Sequence, residues 1–308
     1  MSPIIHMNPT KNESLLFRGV CTSVITPFTS DGLVDDQSFR RLIANQVSAG
    51  VDSLVILGTT GEESTVSRSE RRHLVETAID NVAGRVPIIV GTGTQSTSVT
   101  VELSREAADT GASMLMLVTP YYNQPTVEGL QAHLEAVAAA VDLPLMLYHV
   151  PRRTGFALSA DAFLELARKI PTLQAIKDAS GNLSLIVDII AGRSDNMGVY
   201  SGDEEFALPL LLLGGDGLIS VLSNIAPRAT IELIHSALCG DWVTARAAHF
   251  RLLKAMRACF IVTNPIPIKA ALAQAGLTGP ALRLPLQVFA EPTRSIWLPS
   301  LNAVVEKP

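Results

Sequence analysis

The sequence predicts an α/β protein with the (β/α)8 TIM barrel fold and a C-terminal helical appendage. Eight short β-rich runs alternate with helical patterns between residues 19 and 238, as the βα units of a barrel require. Most of these runs are continuously apolar, which is typical of parallel strands covered on both faces. The residues capable of chemistry follow the strands directly, and in a barrel those carboxyl ends share the face where active sites lie.

The predicted elements follow one another in a regular order. The strands are residues 20–25, 53–57, 87–90, 113–118, 144–148, 173–177, 198–201 and 217–221. The helices between them are residues 36–49, 67–82, 96–110, 126–141, 159–169 and 183–191. Several helical patterns open with Ser, Thr or Asp, the residues that cap helix N-termini. A doubly wound sheet is the alternative, but the first strand leads into Thr26-Pro27-Phe28, without a nucleotide-binding loop.

The strand rhythm stops near residue 239. Helical patterns follow at residues 242–260 and 267–275, and one more helix is expected after Gly279. We therefore predict an N-terminal extension over residues 1–17, a catalytic barrel over residues 18–239 and a C-terminal helical region over residues 240–308.

Composition excludes several classes of protein. The 308 residues are 47% hydrophobic and 17% charged, which excludes a disordered chain. The net charge of −5 argues against nucleic acid or an anionic membrane as a partner. The longest strongly apolar run, residues 207–213, is too short to span a bilayer, and the first 18 residues lack a signal sequence. The three cysteines have no metal-ligand spacing and no metal motif is present, so we expect reduced thiols, a cytoplasmic protein and no metal.

Lys177 closes the sixth predicted strand and precedes Asp178. At the reference pKa of about 10.4, roughly one lysine in 2,500 is a neutral amine at pH 7. Burial lowers that pKa and supplies the free amine that Schiff-base chemistry with a carbonyl substrate needs. The alternative is a lysine that reaches solvent from the strand end or pairs with Asp178.

Other strand ends carry groups that suit a small anionic substrate. The turn GTTGE at residues 58–62 offers hydroxyl and N–H groups to a carboxylate, or it is an ordinary βα turn with threonine caps. Tyr148 could transfer protons or only pack at the rim. Of Arg152 and Arg153, one could clamp a substrate carboxylate, although consecutive arginines are usually one solvated and one paired. The carboxylates of residues 203–205 would repel a phosphate.

All four tyrosines are expected at or next to the carboxyl ends of strands, where they would cluster at the barrel mouth. They are Tyr121, Tyr122, Tyr148 and Tyr200.

The motifs in chain order resemble the dihydrodipicolinate synthase / N-acetylneuraminate lyase family of pyruvate-dependent class I aldolases. They are GTTGE at 58–62, TPYYN at 119–123, IKDASGN at 176–182, SGD at 201–203, GGDGLISV at 214–221 and NPIPIK at 264–269. The resemblance runs from about residue 17 to at least residue 285, and the joint pattern is highly specific.

The resemblance implies a role for each matching residue. Lys177 would form the Schiff base with pyruvate, and Tyr148 would be the general acid/base beside it. Thr59 and Tyr122 would complete a hydroxyl relay, with Tyr122 reaching the site of the neighbouring subunit across a tight dimer. Thr59 and Thr60 would bind the pyruvate carboxylate.

The resemblance also implies that Gly202 and the backbone carbonyl of Ile219 shape the pocket around the lysine. No external cofactor is implied, and the tight dimers are expected to pair into a homotetramer.

Within the family, the synthase branch is the closest match, which implies condensation of pyruvate with L-aspartate 4-semialdehyde in lysine and diaminopimelate biosynthesis. Arg153 matches the arginine that orients the carboxylate of this second substrate. His149 departs from the asparagine usual in synthases, which puts the electrophile in doubt. The alternatives are an aldolase or lyase of a 2-keto-3-deoxy sugar acid and, more remotely, a non-catalytic small-molecule-binding barrel.

In lysine-inhibited members of the family, the effector lies at the tight-dimer interface. The matching positions are Glu63, Ser64, Arg68, Arg71, Gln95, Val99 and Tyr121. Their acidic residue aligns with Val99, which has no acceptor for an ammonium group. The resemblance therefore implies weak inhibition by L-lysine or none.

Overall fold

In the computed structural model, which describes residues 15–288 and 290–306, eight parallel strands pair in chain order and close into a barrel. The strands are β1 Gly19–Ser23, β2 Ser53–Ile56, β3 Ile88–Gly91, β4 Met114–Val118, β5 Leu145–His149, β6 Leu173–Asp178, β7 Gly198–Ser201 and β8 Gly217–Ser220. β8 pairs with β1 to complete the ring. The predicted fold class is thus confirmed. β1 ends before its predicted end because the Ile25 N–H donates to Asn224 Oδ1 (3.2 Å).

Helices cover the outer face of the barrel. They are α1 Asp36–Ala49, α2 Arg68–Val82, α3 Thr97–Thr110, α4 Val127–Ala138, α5 Pro151–Thr154, α6 Ala160–Lys169, α7 Leu183–Gly192, α8 Glu204–Leu212 and α9 Pro227–Leu238. Capping fixes several of their starts: the Ser67 side chain accepts from the Glu70 N–H, and the Glu70 carboxylate accepts from the Ser67 N–H. This reciprocal pair satisfies two backbone donors at the start of α2.

Three of these helices, α5, α8 and α9, were not among the predicted ones. α8 contains the apolar run after residue 206 and an internal Pro209, so it shows neither a polar face nor an uninterrupted helical pattern. α9 begins at Pro227, a residue whose fixed φ suits the first helical turn. Both α8 and α9 therefore carried a start signal in the sequence, because Asp203 caps α8 and Pro227 opens α9.

The C-terminal region adds the three helices that were expected: α10 Trp242–Ala258, α11 Ile266–Gln274 and α12 Thr293–Asn302. The segment after α12 returns to the barrel, where the Glu306 carboxylate accepts from the backbone N–H groups of Arg228 (3.0 Å) and Ala229 (2.8 Å). Among the described residues, no helix combines the length and the apolar character needed to cross a bilayer.

The inside of the barrel holds its own apolar cluster, which includes Cys21, Met146, Tyr148 and Ile219. At the end of the barrel where the strands begin, Phe17 stacks on the ring of Tyr200 with 4.4 Å between centroids.

The Tyr200 hydroxyl donates to the Phe17 carbonyl (2.7 Å). The expectation that all four tyrosines gather at the barrel mouth is therefore wrong for Tyr200. Its side chain turns back toward the opposite end, over Gly198, where a Cβ would lie 2.8 Å from the Tyr200 hydroxyl.

Candidate active site

Lys177 and Tyr148 are direct neighbours on adjacent parallel strands, because they are register partners in the β5–β6 pairing. Both are buried, with exposed fractions of 5% and 6%. The Lys177 Nζ lies 4.2 Å from the centre of the Tyr148 ring. The two residues that the sequence predicted as nucleophile and acid/base are thus brought together inside the barrel mouth.

Burial lowers the pKa of Lys177 to about 8, although the nearby Glu204 carboxylate acts in the opposite direction. At that pKa roughly one amine in ten is neutral at pH 7. Such a lysine can attack a carbonyl carbon at neutral pH.

Asp178 does not pair with Lys177, which was the partner considered from the sequence, but with His149 and Ser180. Its Oδ1 lies 2.7 Å from His149 Nδ1, and its Oδ2 accepts from the Ser180 N–H (3.2 Å) and hydroxyl (2.8 Å). This carboxylate therefore serves the loop after β6 rather than forming an ion pair with Lys177.

His149 lies on the outer side of β5, because side chains alternate along a strand and Tyr148 points inward. Its Nε2 accepts from the Leu158 N–H (3.1 Å), so the ring proton resides on Nδ1 and is donated to Asp178. The side chain is 1% exposed. His149, which replaces the usual asparagine, thus lies on the side of β5 that faces away from the substrate.

Burial raises the pKa of Tyr148, while the Arg153 charge and a hydrogen bond with Thr59 lower it. The phenol is therefore protonated at neutral pH and can donate a proton to a developing oxyanion.

Thr59 and Thr60 form a 3-10 turn directly after β2. Thr59 lines the crevice that contains Tyr148 and also the larger cavity that contains Arg153. Thr60 is 2% exposed, and its hydroxyl oxygen accepts from Asn264 Nδ2 (2.9 Å). Its own hydroxyl proton can still be donated to an anion, since a hydroxyl both donates and accepts.

Gly202 lies against the lysine side chain. A Cβ at this position would lie 2.9 Å from Lys177 Cε, which is closer than non-bonded carbon atoms approach. Any larger residue would therefore displace the lysine side chain from its observed position. The Gly202 N–H donates to the Asp178 carbonyl (2.7 Å). The side chain of Ile219, on β8, is 1% exposed within the inner cluster beside Tyr148.

A cavity of about 240 Å³ opens beside this centre, and Thr59, Tyr121, Arg153 and Asn264 are among its lining residues. One Arg153 N–H donates to the Asn264 carbonyl (3.3 Å). The neighbouring Arg152 instead places its guanidinium over the Phe260 ring, 5.6 Å from the centroid. Of the two consecutive arginines, Arg153 is the one that can meet a substrate carboxylate.

Tyr122 is not brought to this centre within one chain. Its side chain is 93% exposed, and its backbone has a left-handed φ of 69°, which is uncommon for a residue with a side chain.

Two carboxylates near the site were given no catalytic role from the sequence. Glu63 lines both the cavity and the Tyr148 crevice, and burial raises its pKa against the opposing charges of Arg71, Arg153 and Lys177. Glu204 accepts from the N–H groups of Val221 (2.6 Å) and Leu222 (3.0 Å), and burial raises its pKa to about 7. From the sequence alone, nothing distinguished Glu204 as the buried member of the three acidic residues at 203–205.

Within the described part of the chain, no group of three or more His, Cys, Asp or Glu side chains is placed to hold a metal ion.

Comparison with known proteins finds relatives that match nearly the whole chain. The model of the dihydrodipicolinate synthetase family matches residues 16–301. The 4-hydroxy-tetrahydrodipicolinate synthase of Salinibacter ruber is 48% identical over 296 residues, which is 96% of this chain and 98% of that protein.

Two solved structures carry the same fold. The chloride-inhibited dihydrodipicolinate synthase of Acinetobacter baumannii in complex with pyruvate is 41% identical, with a TM-score of 0.91 over 94% of this chain and all (100%) of that one. The enzyme of Cyanidioschyzon merolae with lysine bound is 36% identical, with a TM-score of 0.90 over 94% and 98% of the two chains. Since the family model and these relatives match nearly the whole chain, the protein belongs to the dihydrodipicolinate synthetase family.

Proposed function

We propose that this protein condenses pyruvate with L-aspartate 4-semialdehyde, giving 4-hydroxy-tetrahydrodipicolinate for lysine and diaminopimelate biosynthesis in the cytoplasm. The observation that carries this proposal is the buried, partly deprotonated Lys177 beside Tyr148 at the carboxyl ends of β5 and β6. The names of the relatives support the same reaction.

In the first step, the neutral Lys177 amine attacks the ketone carbon of pyruvate. Tyr148 donates one proton to the oxygen and the attacking nitrogen supplies a second, so the oxygen leaves as water and a protonated imine remains. Thr59 and Thr60 hold the pyruvate carboxylate through their hydroxyl groups. Thr59 also connects Tyr148 to the larger cavity, so that the phenol can regain its proton.

In the second step, the protonated imine withdraws electrons, and the pyruvate methyl group gives a proton to the Tyr148 phenolate, which later passes it to the aldehyde oxygen. The resulting enamine carbon attacks the aldehyde of the second substrate, whose carboxylate Arg153 binds in the cavity. Attack of the product's own amino group on the imine carbon closes the ring and releases Lys177. No external cofactor takes part in these steps.

The aspartate semialdehyde reaction is favoured over sugar-acid cleavage because the relatives are named as synthases and because Arg153 lines the cavity. The deciding experiment is an assay of pyruvate consumption with aspartate semialdehyde, run in parallel with a panel of 2-keto-3-deoxy sugar acids. Faster turnover of any sugar acid than of aspartate semialdehyde would replace the proposed substrate.

The pH dependence of imine formation follows from the pKa of about 8 at Lys177. Below this pH the amine is mainly protonated, so the rate at low pyruvate concentration should rise about tenfold per pH unit. Above about pH 8 the rate should level off. Borohydride trapping at several reaction times between pH 6 and 10 measures the rate of imine formation. A rate that still rises steeply above pH 9 would indicate an ordinary solvated lysine.

We propose a tight dimer in which Tyr122 completes the hydroxyl relay of the neighbouring site, with two dimers forming a tetramer. The exposed, left-handed Tyr122 supports this arrangement, because a tyrosine so placed contributes nothing to its own barrel.

We expect L-lysine to inhibit weakly or not at all. Val99 is 44% exposed on α3 and offers no acceptor. Arg71 points inward and donates to the Glu63 carbonyl (3.0 Å) and the Gly91 carbonyl (2.6 Å), so its charge would repel lysine. Arg68 is turned to Glu102 (3.0 Å) on the outer surface.

An inhibition curve tests this expectation, and a half-point below about 1 mM lysine would contradict it. As a matched control, Val99→Glu restores an acceptor for an ammonium group and should increase the sensitivity to lysine.

A further inference from the structure

A second buried lysine lies close to the site and takes no part in the proposed chemistry. Lys269, on α11, is 0% exposed, and its Nζ lies 2.5 Å from Oε1 of Glu62, which is 1% exposed. The same ammonium group donates to the Thr26 carbonyl (2.9 Å). Because a buried ion pair gains little net stability after desolvation, its presence here calls for another reason.

Glu62 directly follows the turn that carries Thr59 and Thr60. Its φ is 53°, a left-handed conformation that is unfavourable for a residue with a side chain and persists only when its surroundings hold it. Both carboxylate oxygens are held: Oε1 by Lys269, and Oε2 by the backbone N–H of Arg283 (3.1 Å). The backbone of this turn is therefore fixed by residues more than 200 positions away in the sequence.

The same C-terminal region reaches the turn at other points. Asn264 donates to the Thr60 hydroxyl oxygen (2.9 Å), and its carbonyl accepts from Arg153 (3.3 Å). Thr26, whose carbonyl binds Lys269, donates its hydroxyl to the Gly61 carbonyl (2.7 Å). The contacts thus form one network that joins α11 and the preceding Asn264 to the turn at Thr60 and Gly61.

We propose that the Lys269–Glu62 ion pair is a positioning pair that holds Thr59 and Thr60 in the geometry that receives the pyruvate carboxylate. The pair touches no substrate and acts through the turn. This inference rests on the proposed function, since it assigns the turn to pyruvate binding.

The effect should appear in pyruvate binding rather than in the chemistry at Lys177. Lys177 lies on β6, whereas the turn follows β2, so loosening the turn leaves the nucleophile in place. A displaced hydroxyl donor loses its contact with the carboxylate, and small displacements in such sites cost about tenfold or more.

The test measures how borohydride trapping at Lys177 depends on pyruvate concentration. For Lys269→Met, the half-saturating pyruvate concentration should rise about tenfold or more, while trapping at saturating pyruvate persists. If this variant does not fold because Glu62 is left as an unpaired charge, the double replacement Lys269→Met with Glu62→Met removes both charges and decides the question. Glu62→Gln keeps one acceptor for Lys269 but loses the contact with the Arg283 N–H, so its half-saturating pyruvate concentration should lie between those of the parent and of Lys269→Met.

Arg193→Met is the matched control, because it removes one of the partners of the buried Asp216 at the opposite end of the barrel. It should lower the melting temperature and leave the half-saturating pyruvate concentration unchanged. If the Lys269 variants also lose only thermal stability, the pair is structural and the inference is overturned. A parent protein that traps no pyruvate at Lys177 would instead refute the proposed function itself.

Discussion

Replacing Lys177 with arginine should abolish turnover, with a loss of at least about a thousandfold. Arginine keeps the positive charge but has no nucleophilic amine, so no imine can form. In the parent protein, pyruvate followed by borohydride should attach one reduced pyruvyl group to the peptide that contains Lys177. Peptide mass mapping measures the label, and the variant should carry none.

Two other lysines, Lys254 and Lys269, serve as internal comparisons in this experiment. Lys254→Arg, on the exposed face of α10, is the matched control and should leave both labelling and turnover unchanged. Among the described residues, Lys269 is the other buried lysine, but its amine is engaged by Glu62. A label on Lys269 rather than on Lys177 would refute the proposed nucleophile.

Replacing Arg153 with alanine should lower kcat/KM for aspartate semialdehyde by about ten- to hundredfold. A charge-assisted contact with a carboxylate is worth about 1.5–3 kcal/mol, and this cavity would lose it. Trapping of pyruvate at Lys177 should persist, because the imine forms before the second substrate binds. Steady-state kinetics at saturating pyruvate measure the loss.

Arg152→Ala provides the matched control, since the neighbouring guanidinium packs over Phe260 and does not line the cavity. It should change kcat/KM by less than about threefold. Equal losses in the two variants would mean that the general positive potential of this region, and not a specific contact, attracts the substrate. An unchanged kcat/KM in Arg153→Ala would instead favour a sugar acid as the substrate.

The sequence by itself determined the barrel and the place of its active face. Alternating apolar runs and helical patterns are local properties, and both faces of a parallel strand must be apolar to be covered. The strand that contains Lys177 could therefore be recognised without tertiary information, as could the turn at residues 58–62. The positions of these residues after strands were enough to predict that they meet at one end.

What only the tertiary structure decided is where individual side chains point and which distant groups they meet. Tyr200 turns away from the mouth to bind the Phe17 carbonyl, and Asp178 binds His149 instead of Lys177. In the sequence Lys269 was only the last residue of the motif at 264–269, yet its burial against Glu62 joins residues 207 positions apart. Such partners are selected by packing and desolvation across the whole fold, and no local pattern of residues records them.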